Sequence, residues 1–284
     1  MLISVVIPSF NRGDRLLRAL HSVLAQTHAE LELIVVDDGS TDATPELLKD
    51  IKDIKDRRVS LISQANRGVS AARNRGIAKA RGAMIALLDS DDYWMPDKLD
   101  RQLRFMREGG WEISQTEELW IRQGRRVNPR QKHVKQGGWI FEPSLALCLV
   151  SPSCVMFSRG CWEAIGPFDE SLPACEDYDL WLRCSLKYPI GLVPRTLVKK
   201  FGGRPDQLSR KIIGLDIYRI YSLVKVGRTA GLPSDKRRAL LKHLDLRTKR
   251  YIQGCLKRDK PEEAQRIKEL VAALPGMSTG DREG

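Results

Sequence analysis

Three carboxylates in four residues, Asp89-Ser90-Asp91-Asp92, directly follow the apolar run 83–88. Like charges this close repel one another unless a cation or hydrogen-bond donors compensate. Oxygen-only ligands select hard Mg²⁺ or Mn²⁺, which keep several waters and complete their shell with substrate phosphates. A solvated turn before Pro96 is the plainer alternative. A second acidic turn, Asp37-Asp38-Gly39-Ser40-Thr41-Asp42, suits either hydrogen bonds to a base and ribose or the cap of a following helix. The segment NRGVSAARNRG (66–76) brings glycine and three arginines to a helix entrance. Backbone amides and guanidinium groups there match a diphosphate, and equally a solvated basic helix. Neither GxxxxGK[ST] nor a GxGxxG after the first strand is present, which excludes a P-loop and a dinucleotide fingerprint. Glu176-Asp177-Tyr178-Asp179 opens an amphipathic run, where acids either complement the helix dipole or supply a carboxylate base. The six cysteines show no CxxC pair and no zinc-site spacing, so buried reduced thiols are expected.

These clusters need elements that bring them together. The sequence predicts strands at 3–7, 31–36, 59–62 and 83–88, and helices at 15–25, 43–54 and 71–80. Such alternation argues for βαβ units and a parallel sheet buried on both faces. Ligands of open sheets bind beyond the carboxyl ends of the strands, where the polar clusters 9–12, 37–42 and 89–92 fall. Further on, the pattern predicts hairpin pieces at 118–127, a strand at 154–157 and a helix at 176–187. Beyond Gln207 the chain reads as wholly helical, with helices 234–253 (Ser234 as N-cap) and 261–275, then a disordered tail after Met277.

At 284 residues, 42% apolar and 30% charged, the chain buries an ordinary core, and collagen-like, coiled-coil and disordered classes are excluded. No stretch reaches the roughly 18 apolar residues of a membrane span, and the first residues lack a secretory pattern. The expected place is the cytoplasm. Net charge is +12, and residues 201–284 hold 19 Lys/Arg against 10 Asp/Glu. That excess fits an anionic membrane face or plain solubility; no nucleic-acid motif accompanies it, so no specific nucleic-acid partner is expected. Nothing in the sequence specifies an oligomeric state.

Taken together, VVIPSFNR (5–12), IVVDDGSTD (34–42), NRGVSAARNRGI (66–77), LLDSDDYWMPDKL (87–99) and EDYDLWLR (176–183) resemble the inverting family 2 glycosyltransferases of GT-A fold. The resemblance covers about residues 2–210. It implies an α/β GT-A domain over 1–210, with a nucleotide-sugar half (1–108) and an acceptor half with a catalytic helix (109–210). A basic helical extension (211–284) follows.

The resemblance further implies a nucleoside-diphosphate sugar donor, most often a UDP-sugar, bound with Mg²⁺ or Mn²⁺. Pro8, Phe10 and Arg12 would line the nucleotide pocket with Asn66 and Gly68, and Asp38 would bond the base. Arg73 would approach the nucleotide or its phosphates. Asp89 would hold the ribose, and Asp91, the second acid of the DxD, would ligate the metal. Asp177 would be the general base, with Glu176 and Asp179 as supports and Trp181 on the acceptor side. Relatives often carry a histidine where Arg204 stands here; arginine binds diphosphate but not metal. The acceptor would be a glycan or lipid-linked glycan. Apart from the resemblance, the charges Lys236, Arg237, Arg238, Lys242, Arg247, Lys249 and Arg250 suit anionic lipid at the inner membrane face, the plainer alternative being a solvated helix that packs Leu240, Leu244 and Tyr251 on the catalytic domain. The alternative is a non-catalytic sugar-nucleotide or glycan-binding module that kept the fold.

Overall fold

The computed structural model describes residues 1–53, 56–128, 131–203 and 212–276. Arg204 and the tail after Met277 lie outside the described residues.

Strand β1 (Ile3–Ser9) is buried along its whole length and pairs in parallel with β2 (Leu31–Asp37) and β4 (Met84–Leu87), while β2 pairs in parallel with β3 (Val59–Ser63). Between them run α1 (Asp14–Leu24), α2 (Thr44–Asp53) and α3 (Val69–Lys79). β1 carries Ile3, Val5 and Ile7 into one core with Leu16, Leu20 and Val23 of α1. Val6 points the other way, into a second core with Ala72 and Ile77 of α3. Period-2 alternation between two apolar faces is why the strand reads as a continuous hydrophobic run. Helix α3 seats close to the sheet because Gly76 has no Cβ; one built there would lie 2.4 Å from Val6 Cγ1.

The second half makes the sheet mixed. After β5 (Tyr93–Trp94) and α4 (Lys98–Gly109) come β6 (Ile113–Arg122), β7 (Arg125–Val127), α5 (Phe141–Ala146), β8 (Val155–Ser158) and α6 (Arg159–Ile165). Then follow α7 (Glu176–Lys187) and β9 (Gly191–Gly202). The strand order is β3-β2-β1-β4-β8-β6-β9-β5, with β7 beside β6. Because β8 is antiparallel to both β4 and β6, and β9 is parallel to β6, the carboxyl ends of β1, β2, β4, β6 and β9 share one rim.

Strand β9 was not expected. Its sequence, GLVPRTLVKKFG, is broken by Pro194 and carries adjacent lysines. The register against β6 jumps from Thr116↔Val193 to Glu117↔Thr196, so Pro194 and Arg195 sit in an irregularity where no ladder N–H is needed.

The last described stretch, 212–276, holds α8 (Asp216–Gly227), α9 (Ser234–Leu256) and α10 (Pro261–Ala272), as the helical reading expects. Ser234 is the first helical residue and makes no side-chain cap bond. Leu240, Leu244 and Tyr251 of α9 enter a third core with Phe141, Leu145, Tyr178 and Leu182. Arg247 does not face outward: its guanidinium bonds Asp216 and the carbonyl of Ala146. No described helix is long and apolar enough to cross a membrane.

One core residue carries a testable electrostatic signature. Lys98, the first residue of α4, is fully buried, and its Nζ lies 3.8 Å from the centroid of the Trp94 ring without a hydrogen-bond partner. Burial pulls its pKa from 10.5 down to about 7, despite the opposing influence of Cys154. Between those values the unfolded chain binds a proton there that the folded chain does not. Stability relative to Lys98→Met should therefore rise with pH, by at most about 1.4 kcal/mol per unit. Paired denaturant titrations between pH 7 and 10 measure this difference with the other groups common to both proteins. A flat difference would show an ordinary ammonium.

Candidate active site

The rim loops hold one another in place. Asn11, at φ 52°, receives the amide of Thr41 on Oδ1 at 2.8 Å, and its own amide donates to Ser40 Oγ at 2.9 Å. Thr44 Oγ1 accepts the amides of Arg12 and Gly13. Asp38 is buried, and its carboxylate accepts from Gln64 Nε2 (2.7 Å), the Arg67 amide (2.9 Å) and the Gly68 amide (2.8 Å). Gly39, at φ 77°, lets that loop approach Asn66: a Cβ would lie 2.8 Å from the Asn66 nitrogen. Pro8 is buried at the end of β1, whereas Phe10, Asn66 and Gly68 are exposed and Arg12 is half-buried. The segments after β1, β2 and β3 thus form one polar ledge.

The acidic loop after β4 lies beside it on the same rim. Asp92 is buried, accepting from Ser153 Oγ at 2.6 Å and from the Phe201 amide of β9 at 3.0 Å. Burial raises its pKa to about 8 against the pull of Lys200, with Asp89 and Asp91 adding to the rise. Lys200 donates to Ser151 Oγ at 2.9 Å and is held charged, against burial, by Glu118, Asp92 and Asp89. Glu118 stays well below the usual carboxylate range: burial opposes this, but Lys200 and Lys135 outweigh it. Asp91 is half-buried, with its carbonyl fixed by Arg18 at 2.7 Å. The Asp89 side chain is 27% exposed, and its amide donates to Ser153 Oγ at 3.1 Å.

The start of α7 meets this loop through Arg73. One terminal nitrogen donates to Asp89 Oδ1 at 2.8 Å and the other to Glu176 Oε1 at 2.7 Å. The arginine side chain is only 4% exposed, so neither nitrogen is turned to an open cleft. The two ion pairs overcome burial and keep the guanidinium charged. Burial and the neighbouring Asp177 raise the pKa of Glu176, which Arg73 partly offsets. Asp177 is half-buried at the rim, receiving the Tyr178 amide at 2.7 Å.

Two expected positions point elsewhere. Asp179 is fully buried and bonds Arg183 on the next turn and Lys225 of α8, which ties α7 to the extension. Trp181 is 2% exposed and packs against Phe157 and Phe168 in the second core rather than lining a cleft. Conversely, Lys200, Glu118, Ser153 and Thr44 build the site and were not singled out. The signal for Ser153 was faint, a serine just before a predicted strand, and the others follow from topology.

Asp89 and Asp91 offer an oxygen-only donor set beside a ledge of amides. Two carboxylates fit a Mg²⁺ or Mn²⁺ ion that takes its other positions from water and phosphate. Among the described residues, no three His, Cys, Asp or Glu side chains gather to hold an ion without such help.

The family description "Glycosyl transferase family 2" matches residues 4–163. An uncharacterized glycosyltransferase of Rickettsia felis is 34% identical over 203 residues, covering 69% of this chain and 32% of its own length. The chain therefore spans about a third of such relatives. The succinoglycan biosynthesis protein ExoO of Rhizobium meliloti is 43% identical over 112 residues, 39% of this chain and 32% of its own. Among solved structures, residues 1–349 of Staphylococcus aureus TarS in complex with UDP-GlcNAc superpose with TM-score 0.76 at 18% identity, over 97% of this chain and 82% of that one. A mannosyltransferase of Pyrobaculum calidifontis in complex with GDP-Man and Mn²⁺ gives TM-score 0.68 at 17% identity, over 97% and 76%. The architecture is the α/β GT-A fold.

Proposed function

Because the chain belongs to glycosyl transferase family 2, we propose that it is an inverting, metal-dependent enzyme acting in cell-surface polysaccharide or glycan assembly. It moves a sugar from a nucleoside-diphosphate sugar, a UDP-sugar first, to an acceptor hydroxyl. One observation supports this reading above the others: Arg73 holds the acidic loop and the Glu176-Asp177 helix start together at the strand rim. Acids with two different tasks, donor binding and proton transfer, thereby meet at one edge. The catalytic domain in this reading is residues 1–210, divided near 108, followed by the extension.

The ledge of residues 8–12 and 66–68 receives the nucleotide. Asp38 has three of its roughly four acceptor positions filled, leaving one for a base N–H. Asp89 faces the ribose, and Asp91 would hold the cation. A bound Mg²⁺ or Mn²⁺ supplies positive charge where the leaving diphosphate accumulates negative charge. Asp177 removes the acceptor hydroxyl's proton as that oxygen attacks the anomeric carbon from the face opposite the diphosphate. The bond to the diphosphate breaks, so configuration inverts in one displacement. Glu176, paired with Arg73, keeps the helix start in place.

A second reading, a binding module without turnover, predicts UDP-sugar binding with no UDP release. A UDP-release assay over a panel of sugar nucleotides with Mn²⁺ separates the two. In that assay Asp177→Asn should lower kcat by about 10²- to 10⁴-fold while donor affinity barely changes. Near-normal turnover, or a collapse of donor affinity, would remove Asp177 from the role. Asp91→Ala should abolish metal-dependent donor binding, measured by calorimetry with and without Mn²⁺. An unchanged metal requirement would place the ligand elsewhere.

The acceptor is a glycan or lipid-linked glycan, met at the cytoplasmic membrane face. Arg238, Lys242, Lys249 and Arg250 of α9 are exposed, with Leu246 and Leu256 also turned outward. Basic residues near an anionic surface contribute about 1 kcal/mol each. Flotation with vesicles should therefore increase with their anionic lipid content and fall when Arg238, Lys242 and Lys249 are changed to Gln; flotation indifferent to both would end the membrane reading.

A further inference from the structure

Arg73 and Asn74 stand side by side in α3, and both are spent on the segment that leads into α7. Asn74 Nδ2 donates to the Phe168 carbonyl and to Glu170 Oε1, each at 2.9 Å. Its Oδ1 accepts the Phe168 amide, also at 2.9 Å. One side chain therefore satisfies both backbone groups of Phe168. Arg67, at the entrance to α3, adds an ion pair to Glu170 at 2.9 Å. Arg73 lies beyond, with its guanidinium carbon 5.2 Å from the centroid of the Phe168 ring and its two terminal nitrogens on Asp89 and Glu176. Its remaining nitrogen, Nε, is buried without a partner.

A guanidinium that served the diphosphate would keep N–H groups open to the cleft. Here both ends of the fork are committed to carboxylates from different elements, and the group is walled off by Phe168. Its planar geometry spans two acids at once, which a single ammonium does with less directionality. We propose that Arg73 and Asn74 are positioning residues: a clamp by which α3 fixes the 166–176 segment, and so sets Asp177 against the Asp89–Asp92 loop. The clamp rests on the reading of Asp177 as base and Asp89 as donor contact. It assigns Arg73 to the transfer step through Glu176 instead of to the diphosphate.

Two readouts test it, one of them independent of turnover. In hydrogen exchange on the full chain, Asn74→Ala should lose amide protection over 166–180 while β1, β2 and β4 keep theirs. Unchanged protection there would refute the clamp even if no donor were ever turned over. In the UDP-release assay, with a UDP-sugar that the wild type uses, Asn74→Ala and Arg73→Lys should each lower kcat by about 10- to 100-fold, as misplacement of a catalytic group does. UDP affinity of Asn74→Ala by calorimetry should barely change. Arg73→Gln combined with Glu176→Gln should be no slower than the slower single variant, because the two act as one unit. Additive losses, or Arg73→Lys keeping kcat while UDP affinity falls, would make Arg73 a phosphate ligand. A lowered melting temperature with normal kcat and KM would reduce the clamp to plain structural support. A wild type that binds UDP yet releases none would overturn the enzyme reading while leaving the exchange result to judge the clamp.

Discussion

Acids gathered on one strand rim repel each other, and much of this molecule is arranged to hold them there. Asp89, Asp91 and Asp92 occupy one turn, and Glu176 is tied to Asp89 through a shared arginine. Each buried carboxylate is met by a donor from a distant element: Arg73 from α3, Ser153 from the turn before β8, and the Phe201 amide from β9. Charge is balanced a layer further back, where Lys200 feels both Asp92 and Glu118, and Lys135 pairs with Glu118 at 3.4 Å. A buried charge left alone would neutralise by shifting its pKa, and two buried acids of the rim, Asp92 and Glu176, are both pushed upward, Asp92 leaning on neutral donors and Glu176 partly held back by Arg73. The antiparallel insertion of β8 follows the same need. It puts the start of β8 at the rim where β4 and β9 end, which brings Ser153 and Lys200 to the acidic loop.

This dependence explains what could be read from the chain and what could not. β1 to β4, the helices between them and the convergence of their polar ends were legible, because apolar periodicity is local and βαβ connections fix which ends share a rim. The acidic loop and the start of α7 were legible as polar segments at that rim for the same reason. The partners of Arg73 were not, since Glu176 lies 103 positions away and basic composition alone suggested a phosphate. β9 was hidden by Pro194 and its lysines, which look like a solvated turn until β6 supplies a ladder with a bulge. Asp179 and Trp181 were drawn to the site by adjacency to Asp177. Successive residues of a helix face different directions, and theirs face α8 and the second core.

Helix α7 joins these two levels. Leu180, Trp181 and Cys184 enter the core beneath the sheet, while Tyr178 and Leu182 enter the core of the C-terminal helices. Arg183 bonds the carbonyls of Ile165 and Pro167, closing the segment that Asn74 holds from the other side. A helix packed on two sides and tied at its first turn has little freedom to drift. That rigidity is what the base proposed at Asp177 requires, since errors of about 1 Å can cost roughly 100-fold in rate.

The C-terminal helices therefore belong to the positioning of the site as well as to the surface. Inward packing of α9 and contact of its charges with anionic lipid are alternative readings of its residues, but they use different faces. Leu240, Leu244, Thr248, Tyr251 and Cys255 recur at helical spacing and are buried. Arg238, Lys242, Leu246, Lys249, Gln253 and Leu256 recur at the same spacing and are exposed. Arg247 lies between the two stripes and is drawn inward by Asp216 and the end of α5. A helix with one face in the core of α7 and the other basic and leucine-bearing can carry a surface attachment without loosening α7. The outer stripe contributes almost nothing to the fold, so its composition is free to answer to a partner.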